Sequence, residues 1–395
     1  MHEKMDPMTT LAAVPDPRVF PDIAAAPAAC AELFALADAS LTAETGERSA
    51  TIDRRVRDAL VQRLAGDGRL LARLFAATPS VAVTRHLWRQ LELACRDVAA
   101  AADGIALTVF AIPLVIVAGL DGATGEAVVP GVIDDAVKIV DLLREHGALG
   151  GNRTFGIANA LVGVDAIDLP RLPDLLAWHR LPERSPDGVS PPERALAPLP
   201  LAIAAGREAV YLRFLVGTAL AKPGADLLAG GVVGGWGAPM THELARQLGH
   251  GGIRVLALPR APQRLLPAVA QGRAAQREVS AQLFASNAIR RIRASVGEPS
   301  ALISAHRAPD AVGGGELRLS LSSPFEPRDA EGFRCPLYPL DRVGDAVAML
   351  VDLLADCRVT DVRLIGGVHP DRDAATGLPL LFKSDTIPAG ARALH

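Results

Sequence analysis

Between Asp103 and Asp121 the chain runs through seventeen uncharged residues, GIALTVFAIPLVIVAGL. A stretch this apolar must be buried, so it organises whatever folds around it. Seventeen residues is the lower edge of what crosses a bilayer as a helix. The β-branched content, Pro113 at the middle and the lack of basic flanks fit one or two buried strands instead. The expectation is a soluble, cytoplasmic chain that does not enter a membrane.

Beyond residue 104 the chain has the texture of apolar strands alternating with capped helices. EAVYLRFLVGTAL, IRVLALP, SALISA and VRLIGGV read as strands, separated by helical stretches near 242–249, 263–295 and 342–357. Asp134 and Asp135 open a further helix that carries Val137, Val140 and Leu143 and stops at Gly147, which suits the helix dipole at both ends. Such alternation predicts an α/β fold, a largely parallel sheet flanked by helices. Ahead of it, Ile52, Val56, Leu60 and Leu64, then Leu87, Leu91, Cys95 and Val98, recur at helical spacing and predict an N-terminal helical region.

Composition divides the chain further. Residues 1–28 carry acids and several prolines and read as a disordered lead-in rather than a signal peptide. The helical region takes 29–103, a first α/β portion 104–184, a Pro-rich linker or loop 185–200, and a second α/β portion 201–395. Four cysteines are dispersed with no CxxC pair, which suits a reduced compartment and offers no metal-ligand spacing. Of 41 basic residues only Lys4, Lys138, Lys222 and Lys383 are lysines, yet the net charge is −3, so the whole chain does not look like a nucleic-acid binder. Residues 246–307 hold ten arginines against Glu278 and Glu298. Solvated faces and pairing with the acidic remainder account for that excess, and an acidic protein partner is the functional alternative.

Three clusters carry candidate chemistry. AGGVVGGWGAPMT, residues 229–241, places Gly230, Gly231, Gly234, Gly235 and Gly237 ahead of HELARQLG, with Thr241 as the expected helix cap. Glycines before a helix start let backbone N–H groups converge on a phosphate, so these six residues form the candidate cofactor-binding set. The alternative is a corner between packed elements. Gly235 in particular is expected to need positive φ or the space a Cβ would fill. No register gives GxGxxG or a Walker A loop, because Met240 and Trp236 stand where glycine and lysine are required. HELAR lacks the second histidine of a zinc protease, Arg246 taking its place.

The stretch GGWGAPMTHELARQLGHGGIRVLALPRAP resembles the glycine loop, helix and next strand of tubulin-like GTPases over about thirty residues, without the loop threonine, whose place Trp236 holds. The cofactor is left open by the sequence, with Mg²⁺ accompanying a nucleotide as the candidate.

The other two clusters sit at expected strand ends, where open α/β sheets bind ligands. His306 comes after one strand, and His369, Asp371 and Asp373 come after another. Histidine is suited to acid or base work and paired carboxylates to a hard cation, so these four are the candidate catalytic residues. The sequence does not decide whether the chain is an enzyme. The expected function is binding of a small phosphate-bearing molecule, a nucleotide or sugar phosphate, at the glycine segment. The alternative is a non-catalytic assembly or interaction protein, homo-oligomeric or with a protein partner.

Overall fold

The apolar stretch forms one long strand, β1 (Ala106–Ala118). The structure is a computed structural model describing residues 28–64, 74, 81–100, 106–119, 126–150, 155–167, 196–204, 208–221, 230–249, 254–295, 297–307, 315–323, 326–338, 341, 343–365 and 392–394. Along its whole length β1 pairs antiparallel with β5 (Ala209–Ala221), from Ala106 opposite Ala221 to Ala118 opposite Ala209. On its other side it meets β6 (Val255–Pro259) and then the two-residue β7 (Gln263–Arg264). Pro113 lies in the gap between those two pairings. Its carbonyl accepts from the Arg260 N–H at 2.9 Å, which puts its ring nitrogen on the same side, where no ladder bond is asked of it. With β3 (Phe155–Val162) on the far edge, the first sheet runs β3-β5-β1-β6, antiparallel throughout. A separate antiparallel ribbon joins β2 (Ala127–Val129) to β4 (Leu201–Ile203).

The largely parallel sheet expected from the sequence is therefore wrong. Continuous apolar strands usually mark parallel sheets because both faces are covered by crossover helices. Here both faces of an antiparallel sheet are covered, by helices from remote parts of the chain. Phe110, Ile112, Leu114 and Ile116 pack under α4 (Ala136–Glu145) and α5 (Val233–Leu248). Val109 and Ala111, with Phe214 and Val216 of β5, share a core with α1 (Ala28–Leu41), α2 (Gly46–Leu64) and α3 (Val81–Ala100), and that face of the sheet is covered by α3 together with a long helix that starts at Leu265. Val56, Leu60, Leu87 and Leu91 of the helical stripes are fully buried there. The sheet takes β1 and β3 from before residues 185–200 and β5, β6 and β7 from after them. Residues 1–27 and 168–195, which include all but the last residue of the expected lead-in and most of the Pro-rich segment, lie outside the described residues.

One helix joins this sheet to a second. α6 (Leu265–Ser295) has 31 residues, about 46 Å at 1.5 Å per residue. Its first turns bury Leu265, Leu266 and Val269 against the first sheet, and Ala281, Ala285, Ala288, Ile289 and Ile292 bury against the second. At its middle, Arg277 forms an ion pair with Asp341, which also accepts from the Tyr338 N–H at 2.9 Å. The Arg273 guanidinium lies 4.3 Å from the centre of the Tyr338 ring.

The second sheet has the order β10-β9-β8-β11-β12, from β8 (Ser300–Arg307), β9 (Gly315–Ser323), β10 (Glu326–Leu337), β11 (Asp361–Ile365) and β12 (Arg392–Leu394). It is mixed: β8, β9 and β10 are antiparallel neighbours, whereas β8, β11 and β12 run parallel. Strict alternation in GELRLSLSS sends Leu317, Leu319 and Leu321 into a core shared with α6 and α7 (Val343–Asp356) and Glu316, Arg318, Ser320 and Ser322 to the opposite face. Among the described residues, no helix is long and apolar enough to cross a membrane.

Candidate functional site

The glycine segment has two parts with different structural roles. Gly230 and Gly231 are a corner packed on the turn after α4. A Cβ at Gly230 would lie 2.0 Å from the Ala148 carbonyl oxygen, and the Gly231 N–H donates to the Gly147 carbonyl at 2.6 Å. Gly234, Gly235 and Gly237 are not a loop at all, because α5 already begins at Val233. Gly235 lacks both constraints expected of it: its φ is not positive, and nothing lies within 4 Å of where a Cβ would stand.

Thr241 is likewise not a cap but lies inside the helix, its hydroxyl donating back to the Gly237 carbonyl at 2.8 Å. Val232 takes the cap position and supplies no side-chain acceptor. Pro239 lies inside the helix, in its second turn, where its missing N–H leaves the Gly235 carbonyl without its helical donor. The glycine-loop part of the stretch that resembles tubulin-like GTPases is thus the first two turns of a helix, and its Gly235 N–H is already bonded to the Val232 carbonyl at 2.8 Å, as the Gly231 N–H ahead of it is to Gly147.

Further along α5, Glu243 is almost fully buried. It accepts from Arg246 (Nε, 3.1 Å), Gln247 (2.7 Å) and Lys138 of α4 (2.8 Å). The Arg246 hydrogen bond chiefly holds its carboxyl far below the ordinary range, against the opposing effect of burial. Gln247 also exchanges hydrogen bonds with the Asp135 backbone. This is a clamp between two helices, with its carboxylate fully engaged.

The outer face of the second sheet gathers reactive groups. Ser304 and His306 stand two residues apart on β8 and share that face, and the Ser304 Oγ lies 2.7 Å from His306 Nε2. Strand register places Arg318 of β9 opposite Ser304 and Glu316 opposite His306, and Arg334 of β10 opposite Arg318. Glu316 is 2% exposed and accepts from Arg318 Nε at 2.6 Å and Arg334 Nε at 2.7 Å. Burial pushes its carboxyl up, but the Arg334 and Arg318 hydrogen bonds outweigh that and leave it below the usual value. The two arginine side chains keep about half their surface in solvent, 45% and 52%. Burial first, and then the Arg318 charge, hold the His306 imidazole below its ordinary pKa, with Glu316 opposing them. The ring is therefore neutral near pH 7, and when Nε2 accepts the serine proton the ring proton sits on Nδ1.

This cluster also sits at the carboxyl ends of parallel strands. Ile365, the last residue of β11, pairs with Ser304. His369, Asp371 and Asp373 come next in sequence and lie outside the described residues. Of the four expected catalytic residues, only His306 is placed. Arg318, Arg334, Glu316 and Ser304 are not among the residues the sequence singles out, although the period-two alternation of GELRLSLSS and of Ser304 with His306 marks an outward polar face.

A second hydroxyl–carboxylate–imidazole group lies among the N-terminal helices, where Asp53 accepts from Ser40 and stands 3.0 Å from His86 Nε2. The carboxylate separates the hydroxyl from the ring, so the group is a packing network and not a relay. Among the described residues, no three His, Cys, Asp or Glu side chains are placed to hold a metal ion. Cys335 is buried, and its thiol is pushed up to about 12 by desolvation, so it is no nucleophile. Compared with known protein families, curated proteins and solved structures, the chain matches none.

Proposed function

We propose that the chain binds a small phosphate-bearing molecule, and that the outer face of the second sheet, rather than the glycine segment, receives it. The observation that carries this reading is Arg318, half exposed and in register opposite the Ser304–His306 pair at the carboxyl end of β8. A guanidinium supplies fork-like N–H donors matched to phosphate oxygens, and a hydroxyl and a ring nitrogen beside it add directional contacts. Carboxyl ends of parallel strands are where such sheets take ligands. The glycine segment supports the reading less, since Gly230 and Gly231 pack on backbone and two N–H groups there are spent.

Thermal-shift screening with nucleotides, sugar phosphates and inorganic phosphate, with and without Mg²⁺, tests it. A true ligand at a hundred times its Kd stabilises by about 2.7 kcal/mol. Arg318→Gln should weaken the response at least tenfold in concentration, and a panel without any response counts against the reading.

One observation favours the alternative of an assembly protein. Around the β2–β4 ribbon, Val128, Val132 and Leu199 are exposed, with Pro130, Pro198, Pro200 and Ala202 exposed between them. Contiguous apolar surface of this kind marks contact sites. Sedimentation velocity across a concentration series, repeated with Val128→Lys, would reveal self-association through it.

A further inference from the structure

We infer that Ser304 is an activated nucleophile with His306 as its base, so that the outer face of the second sheet performs acyl transfer on small esters carrying a phosphate or carboxylate. The substrate class rests on the anion reading above. The chemistry rests on separate geometry: a hydroxyl 2.7 Å from an imidazole nitrogen, on one face of one strand. That is the distance at which a base takes a proton from a nucleophile.

Three features separate this pair from an ordinary surface contact. The nearest carboxylate in register, Glu316, is held by Arg318 and Arg334. The imidazole's hydrogen-bonding nitrogen faces the hydroxyl instead. Arg318 is in register opposite Ser304 and is half exposed, and with Nε bonded to Glu316 its two terminal nitrogens are the donors that would meet an oxyanion developing there. Both Ser304 and His306 are half-buried, so water is partly excluded without closing access.

The reaction balances without any further reagent except water. Ser304 Oγ forms a bond to the ester carbonyl carbon as its proton passes to His306 Nε2. The carbon–oxygen bond to the leaving alcohol breaks, and that oxygen takes the proton from Nε2. Water then attacks the acyl-serine, its proton passes through Nε2 back to Ser304 Oγ, and the carboxylic acid departs.

A small alkyl fluorophosphonate tests the pair on the full chain. It reports an activated serine by forming a P–O bond and releasing fluoride, and peptide mass mapping locates the adduct. The expected result is a single adduct on Ser304, absent in Ser304→Ala and formed roughly 10² to 10⁴ times more slowly in His306→Gln. The Gln amide keeps a hydrogen-bond partner for the hydroxyl, and an unchanged thermal melt shows that each variant is folded. No adduct on Ser304, or an adduct formed as fast in folded His306→Gln, overturns the inference. The two readings fail separately. A responsive phosphate panel with no adduct removes the chemistry alone, and a His306-dependent adduct with a silent panel removes the anion reading while the Ser304–His306 chemistry stands.

Discussion

Gly230 and Ala148 meet backbone to backbone: a Cβ on the glycine would stand 2.0 Å from the alanine carbonyl oxygen and 2.5 Å from its carbon. This contact, together with the Gly231 N–H donating to the Gly147 carbonyl, ties the entry to α5 to the turn after α4. Gly235, five residues on, meets nothing.

The two glycines should therefore respond to alanine in opposite directions. Gly230→Ala forces backbone to move and should cost about 2 to 4 kcal/mol, in the range of severe packing lesions. Gly235→Ala, exposed in a helical turn, should be neutral or stabilise by up to about 1 kcal/mol, the difference in helix propensity. Urea denaturation of both variants checks the pair, and equal losses would show that α5 does not begin at Val233.

Glu243→Gln should destabilise the chain by about 1 to 3 kcal/mol, because Arg246 and Lys138 lose a buried carboxylate. Its folded pKa is depressed, so the stabilisation is whole above the unfolded value of about 4.3 and disappears as pH falls through the folded one. The melting temperatures of parent and variant should thus converge below pH 4. A gap that persists unchanged at pH 2 would mean that the charge is not what binds α4 to α5.

Much of this is legible in the sequence and some is not. The apolar run of β1, the stripes of α2 and α3 and the long helix through Arg277 are local patterns, and local patterns survive folding. Strand direction is not local. β1 reads as continuous hydrophobic residues because α4 and α5 lie on one face and α3 with the first turns of α6 on the other, and nothing in its own residues says whether β5 arrives parallel or antiparallel. The start of α5 is hidden for a different reason. Glycine and proline are breakers on average, but Gly234 and Gly235 lie in its first turn, and Trp236, buried with its indole N–H on the Gly231 carbonyl at 3.3 Å, anchors that turn by packing. His306 is visible as a strand-end histidine, whereas Arg318 and Arg334 become its neighbours only through register between strands.

His306 should titrate below the ordinary 6.5, and Arg318→Gln should move it upward, since burial and then the Arg318 charge depress it. A base with a depressed folded pKa binds its proton more readily when unfolded. Stability is therefore lost as pH falls from about 6.5 toward the folded value, and is regained as pH rises. Carbon-13 NMR of the imidazole ring tracks this directly, and a His306 pKa above 6.5 would contradict the placement of Arg318.

Asp341→Asn leaves the Arg277 guanidinium, 11% exposed, without the carboxylate that it meets at the middle of α6. Breaking such a pair from one side costs about 3 to 5 kcal/mol. Since Arg277 ties the helix to the second sheet's end of the chain, hydrogen exchange should quicken around β10 and α7 more than in β1 and β5. Uniform quickening across both sheets would show that the pair does not act locally.

The most direct test of the proposed anion site is an amide NMR titration of the deuterated chain with inorganic phosphate and with whichever sugar phosphate or nucleotide stabilises it most. If the outer face of the second sheet receives the ligand, resonances of Ser304, His306, Arg318 and Arg334 move together with one saturating Kd, and Arg318→Gln abolishes the movement. Shifts confined to Val233, Gly234 and Gly235 at the start of α5, with Ser304 and Arg318 unmoved at saturation, would contradict it.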